Sequence, residues 1–281
     1  MILRHVQRVS HGGRADTVTS VETMYPLDFD LIDWSAYADG LISRQAWQDW
    51  AATEPLLPRN WPEVMPALTD VPPMMRRRIE RLGRLACQVV SWCAPQGDGC
   101  PLVFASRHGD AERSLRLLAD LIRGEPVSPT SFALSVHNAI SALSSISRSD
   151  TSNVVAVAAG KATAVAGLIE AVALLADGHE EVLLVCYDAP LPVPYDGFDD
   201  ESACAHAWAW RLAQAGRGGL PLRLQVPAEV VDVESAPSTA VLPRSLVLHR
   251  DMLLLAAGAT TEALGASGLS LRRDEIEARH G

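Results

Sequence analysis

Apolar and polar positions along this chain switch between two periods, and the switches mark its elements. Phe29 to Trp34 (FDLIDW) alternates apolar and acidic residues, the period of a half-buried strand. Ser43 precedes RQAWQDWAA as an N-cap, and Trp47 and Trp50, three apart, share one face of that helix. Pro55, Pro58, Pro62, Pro66 and Pro72 make the next stretch a surface loop. From Met74 to Cys93, Ile79, Leu82, Leu85, Ala86, Val89 and Val90 keep helical spacing and predict a first long helix with one buried stripe. PLVFAS (Pro101 to Ser106) reads as a buried strand, and Asp110 to Gly124 as a helix with Gly124 as its C-cap.

The same reading continues to the C-terminus. Pro129 marks an entry turn and a helix follows from about Phe132. Asn153 to Ala158 is a strand. Ala162 to Asp177 is a helix apolar almost all round, which places it in the middle of the protein. Glu181 to Tyr187 (EVLLVCY) is apolar enough for a central strand. Asp200 to Ala215 is expected to be a helix, and Trp208 and Trp210, two apart, cannot share one of its faces. Leu220 to Val226 alternates as a strand, and Leu246 to Ala257 is apolar without a decisive period. Strands separated by long helices predict an α/β fold with a mixed or parallel sheet covered on both faces. The expected organisation is a poorly ordered leader over 1–27, a domain over 28–245, and a segment over 246–281 with an exposed charged tail.

Composition narrows the function classes. The 281 residues carry a formal net charge of −10, which repels duplex nucleic acid. The dense basic run is Arg76, Arg77 and Arg78, either a solvated helix face or a docking spot for an acidic partner. No apolar run spans a bilayer, and the N-terminus lacks the apolar region of a secretory signal, so a cytoplasmic protein is expected. Five cysteines without a CxxC pair fit reduced thiols. The eight histidines show no metal-ligand spacing, and neither a metal nor a cofactor is expected.

The segment NVVAVAAGKATAVAGLIEAVALLADGHEEVLLVCYD (Asn153 to Asp188) resembles the nucleophile region of beta-ketoacyl synthases. Upstream, SPTSFALSVHN, RHGD (Arg107 to Asp110) and PPMMRRRIERLGRLA extend the match, so the resemblance covers roughly residues 28–190 and, more weakly, 200–226. Within that family it looks closest to the short ketosynthase chain-length factors of aryl-polyene-type pathways. The resemblance implies a thiolase-like layered half-fold with a mixed sheet and a buried central helix.

It also implies a chemistry that this chain lacks the groups to perform. The family condenses acyl groups through a thioester on a cysteine activated at a helix N-terminus. Counting back from Gly167 puts that position at Ala159, or at Gly160 if the turn carries one gap. Lys161 is one residue off, and Cys186, apolar-flanked in a predicted strand, reads as inert packing. About ninety residues remain after Tyr187, too few for a second half, and the later histidines His206, His249 and His280 lie in no glycine-rich loop.

The resemblance therefore implies a non-catalytic subunit. Its partners would be a complete beta-ketoacyl synthase, as a heterodimer, and an acyl carrier protein docking at Arg76 to Arg78. His108, Phe132, His137 and Asn138 are the tunnel or interface candidates, and Phe132 to Ile146 with Glu181 to Tyr187 are expected on the partner-facing surface. An acyltransferase or hydrolase with an unrecognised site, and a stand-alone carrier-protein binding module, stay open as alternatives.

Overall fold

The computed structural model describes residues 24–53, 61–94, 99–201, 203–227, 242–259, 261–263 and 270–273. The elements run β1 (Met24–Ala38), α1 (Arg44–Ala52), α2 (Pro73–Arg76), α3 (Arg81–Cys93), β2 (Leu102–Ala105), α4 (Ala111–Ile122), α5 (Pro129–Ala133), α6 (Ala139–Arg148) and β3 (Val154–Val157). They continue with α7 (Thr163–Ala176), β4 (Glu181–Asp188), β5 (His206–Gln214), β6 (Leu220–Pro227), α8 (Arg244–Ala256), β7 (Thr261–Ala263) and β8 (Ser270–Arg273). The strands form one sheet in the order β3-β2-β4-β5-β1-β6-β8-β7. It is mixed: β2 is parallel to β3 and β4, and β5 is antiparallel to β4 and β1.

Period-two alternation sorts the strand residues onto two cores. Leu183, Val185 and Tyr187 of β4, with Phe104 of β2, meet Leu85, Val89 and Val90 of α3 on one face. Val182, Leu184 and Cys186 meet Leu168, Ala171 and Val172 of α7 on the other, where α1 and α8 also pack. The result is helices on both faces of a mixed sheet, the α/β layered half-fold predicted above.

Four elements depart from the sequence reading. The helix expected from about Phe132 is two short ones, α5 ending at Ala133 and α6 starting at Ala139. Residues 206–214 form a strand where a helix was expected. The repeat Ala207-Trp208-Ala209-Trp210 puts both tryptophans, each fully buried, on the α8 side and both alanines on the α3 side. Spacing of two, which splits a pair on a helix, unites it on a strand. The expected helix over 74–93 breaks after Arg76, and α3 starts at Arg81. The guanidinium of Arg84 donates to the carbonyls of Ile79 (3.0 Å) and Arg76 (2.9 Å), satisfying groups the break frees. Finally, β4 is not a surface strand. It lies between β2 and β5 with Val182 to Tyr187 all buried, so Glu181 to Tyr187 cannot face a partner.

The other expected elements are present with small shifts. Ser43 caps α1 by accepting from the Ala46 amide at 3.2 Å, and the rings of Trp47 and Trp50 pack at 5.2 Å. Residues 246–256 lie within α8, on the main sheet, and Met24 to Leu27 begin β1; residues 1–23 and 274–281 lie outside the described residues. Between β5 and β6 the chain passes from one edge of β1 to the other, so that Phe29 pairs with both Gln214 and Leu222.

The central helix α7 is buried along Ala164, Leu168, Ala171, Val172 and Leu175, while Ala173 and Ala176 are exposed. It sits so close to the sheet that a Cβ on Gly167 would lie 2.8 Å from Ala105 Cβ and 3.0 Å from Leu184 Cδ1. Ala105 belongs to a strand and cannot yield. We therefore expect Gly167→Ala to destabilise the protein by about 1–2 kcal/mol, because overpacking exceeds the gain of roughly 1 kcal/mol in helix propensity. Thermal unfolding should show a midpoint lower by about 4 °C, and adding Ala105→Gly should recover part of it; an unchanged midpoint would show that α7 can retreat freely.

Candidate functional site

The turn from β3 into α7 occupies the end of the sheet where the parallel strands point. Ala158, Ala159 and Gly160 are exposed there. Gly160 has φ of +54°, a backbone conformation that favours glycine. Thr163 knits the turn: its hydroxyl donates to the Gly160 carbonyl (2.7 Å) and accepts from the Ala159 amide (2.9 Å). The 14-residue α7 begins immediately after, so its N-terminal dipole favours negative charge at the turn. A thiolate would be activated here. Neither Ala159 nor Gly160 supplies one, and all five cysteines are buried. Burial pushes the Cys87 and Cys93 thiols up to about 12 and Cys186 well above its ordinary value, so these three stay protonated at neutral pH.

Beside the turn, charged groups gather around Arg107, two residues past the end of β2. Its guanidinium pairs with Asp200 (2.6 Å) and Glu201 (2.9 Å), and Lys161 reaches the other oxygen of Asp200 at 3.2 Å. The Arg107 amide (2.9 Å) and the Ser106 hydroxyl (3.0 Å) both donate to Asp188 Oδ1 at the end of β4. Glu201 also accepts from the Arg244 amide at the start of α8. Burial pushes Asp188 up to about 7, against the pull of those two donors, and raises Glu201 as well. Burial opposes the shift of Asp200, yet its hydrogen bonds to Arg107 and Lys161 hold it below the usual range. Arg107, His108, Asp188, Glu201, Cys204 and His206 surround a cavity of about 20 Å³. That is room for one water molecule and not for an acyl chain.

Sequence reasoning placed two candidates in this neighbourhood. His137 donates from Nε2 to the Ser106 carbonyl (2.8 Å), and half-buried His108 lines the cavity, its pKa lowered by burial and then by Arg107. Asn138 is exposed at the start of α6 without a side-chain cap bond, and Phe132 is 66% exposed on α5. Arg77 and Arg78 are exposed beyond α2, and Arg76 is half-buried, donating to the Val71 carbonyl. The residues it missed are Arg107, Lys161, Asp188, Asp200 and Glu201. Their signal was position: Ser106-Arg107 and Asp188 stand immediately after two apolar strands, where α/β sheets gather polar groups.

The later histidines are packing groups. His206 Nδ1 donates to the Cys204 carbonyl (2.9 Å), leaving Nε2 to accept from the Ser245 hydroxyl (2.7 Å). His249 accepts from Trp210 Nε1 (3.0 Å) among the rings of Trp34, Trp47 and Trp208. Burial lowers His206 to about 4 and His249 to about 3, so both are neutral. Among the described residues no group of three His, Cys, Asp or Glu side chains could hold a metal, and no helix is long and apolar enough to cross a membrane.

A mixed sheet between helix layers, with a tight turn feeding a central helix at its parallel end, is a thiolase-like layered α/β half-fold. Residues 47–262 match the beta-ketoacyl synthase N-terminal domain, and the chain belongs to that family. Among solved structures it is similar to a ketosynthase (ApeO) in complex with its chain length factor (ApeC) from Xenorhabdus doucetiae. The identity is 29% over 88% of this chain and 100% of that one, with a TM-score of 0.73. The ishigamide ketosynthase/chain length factor follows at 15% identity, 81% and 72% coverage and a TM-score of 0.58. A beta-ketoacyl synthase from Burkholderia phymatum has 16% identity, 66% and 59% coverage and a TM-score of 0.50. These last two show the fold alone. No curated protein matches.

Asp188 makes the site sensitive to pH. Its folded pKa, about 7, lies above the ordinary 3.8, so the folded state keeps a proton that the unfolded state releases between those values. Stability from this group is therefore full below pH 4 and lost as pH rises through 7. Asp188→Asn keeps an acceptor for Ser106 and Arg107 and removes the titration. The melting temperature of the variant should gain on the wild type from pH 4 to 7 and hold that gain above 7; parallel profiles would contradict the assignment.

Proposed function

We propose that this chain is a non-catalytic, chain-length-factor-type subunit that pairs with a complete beta-ketoacyl synthase in fatty-acid or polyketide assembly, of aryl-polyene type. The observation that carries this reading is the turn before α7, which keeps a nucleophile's setting but presents Ala159 and Gly160. The 29%-identical chain from the Xenorhabdus ketosynthase and chain length factor complex is spanned from end to end by this one, so it too is a short chain.

The surface supports a partner. Helix α4 is inverted: its buried side chain is Arg113, held by Glu80 (3.0 Å) and Asp110 (3.2 Å), while Leu118, Leu121 and Ile122 are 46%, 64% and 85% exposed. Phe132 and Val136 extend this apolar face, and β3 is a terminal strand of the sheet. Apolar faces of this kind belong to interfaces. His108, Phe132, His137 and Asn138 are the side chains we assign to the tunnel or the partner interface, and Arg76 to Arg78 to docking of an acyl carrier protein, acidic by expectation. A cytoplasmic setting accords with five buried thiols. The alternative of an acyltransferase or hydrolase would rest on the Ser245 and His206 hydrogen bond. Both residues are buried, 8% and 1% exposed, which favours a packing role.

Two outcomes test the reading. Co-expressed with its cognate ketosynthase, the chain should co-elute from size exclusion as a heterodimer. Leu121→Asp should weaken pairing at least a hundredfold by burying an unpaired charge, at a cost of about 3–5 kcal/mol. Leu121 is the informative position, because its side chain is 64% exposed and a charge there leaves the fold of the unpaired chain intact. A monomer that ignores the ketosynthase leaves the carrier-protein binding module in front. Second, incubation with acyl-CoA or acyl-carrier thioesters should give no mass increase on the intact chain. An adduct on Cys186, Cys204 or Ser245 that disappears on replacement by Ala would establish an enzyme instead.

A further inference from the structure

The segment from Pro190 to Glu201, between β4 and β5, is folded inside out. Val193, Tyr195 and Phe198 are 75%, 40% and 73% exposed, whereas the side chain of Glu201 is 4% exposed and Asp199 accepts from the Leu191 amide within the strap at 3.1 Å. The acidic base of this strap is tied down by two cations on rigid supports. Arg107 lies two residues past the end of β2, and Lys161 lies in the turn before α7; each is 13% exposed, and they share the carboxylate of Asp200 between them. Lys161 also makes the strap continuous with the terminal strand β3, through the turn that joins β3 to α7.

We propose that Arg107 and Lys161 latch the strap in the one form that presents Val193 and Phe198 to the partner ketosynthase. The inference rests on the pairing reading above. The apolar side chains point outward because the charges are satisfied inward, and an isolated chain has no reason to hold two large apolar groups in water. The strap is then a second part of the interface, ordered before the partner arrives, and ordering in advance strengthens association. Arg107 and Lys161 act as positioning residues for this surface.

Asp200→Asn and Lys161→Met each remove one arm of the latch at part-exposed positions. Circular dichroism checks that the full chain stays folded. Hydrogen–deuterium exchange should then show faster uptake over residues 190–201, with uptake over β4 and α7 unchanged. Affinity for the ketosynthase should fall about tenfold or more, while Leu121→Asp abolishes pairing without changing strap uptake. Wild-type affinity or unchanged strap uptake in both latch variants overturns the latch and leaves pairing intact. A wild-type chain that binds no ketosynthase overturns the pairing reading, and with it the occupant proposed here. If one variant fails to fold, the other decides.

Discussion

The approach of α7 to the sheet at Gly167 sets the position of nearly everything that follows. Ala105, the residue it packs on, is the last of β2, and Ser106 and Arg107 come next. Leu184, its other contact, lies four residues before Asp188. One close contact therefore fixes how far the turn carrying Ala159 and Gly160 stands from the charged cluster. A longer side chain at 167 would move the helix and with it Lys161, which has to reach a carboxylate held by Arg107.

The charged cluster gives the turn its chemical character. The helix dipole favours negative charge at that end, and Lys161 of the turn is paired there with the carboxylate of Asp200. Five elements converge on them: β2 through Arg107, β4 through Asp188, the turn before α7 through Lys161, the strap through Asp200, and α8 through the Arg244 amide. Pairs this well enclosed add little net stability when compared with apolar packing, but leave an expensive orphan when one member is removed. They serve to hold one arrangement. The same logic governs α4, whose single buried side chain is a cation with two carboxylate partners, and whose leucines are left for something else to cover.

Much of the fold was legible from periodicity, and the failures have physical causes. Strands β3 and β4 and helices α4 and α7 stand out because one period runs unbroken through each. Residues 206–214 misled because Trp208 and Trp210 were judged as a helical pair, while the alternation with Ala207 and Ala209 reports a strand buried on both faces. The apolar run of β4 suggested a surface awaiting a partner, but a strand with neighbours on both edges uses such residues for its own two cores. At the site, the turn carrying Ala159 and Gly160 before α7 could be placed by counting along the chain. The latch could not, because Arg107, Lys161 and Asp200 are far apart in sequence and only the sheet order brings them together.

The passage of the chain across β1 has a consequence for how the protein is made. Phe29 is held on one side by Gln214 and on the other by Leu222, nearly two hundred residues later. During synthesis the first strand emerges long before either neighbour exists. Contacts this distant along the chain slow folding, because loop-closure entropy is lost before the pairing that offsets it is made. Until those neighbours are made β1 has two bare edges, and such edges recruit other strands. The sheet can knit β1 between its two neighbours only once residues 206–227 have been made, and the interval before that is the vulnerable moment in its folding.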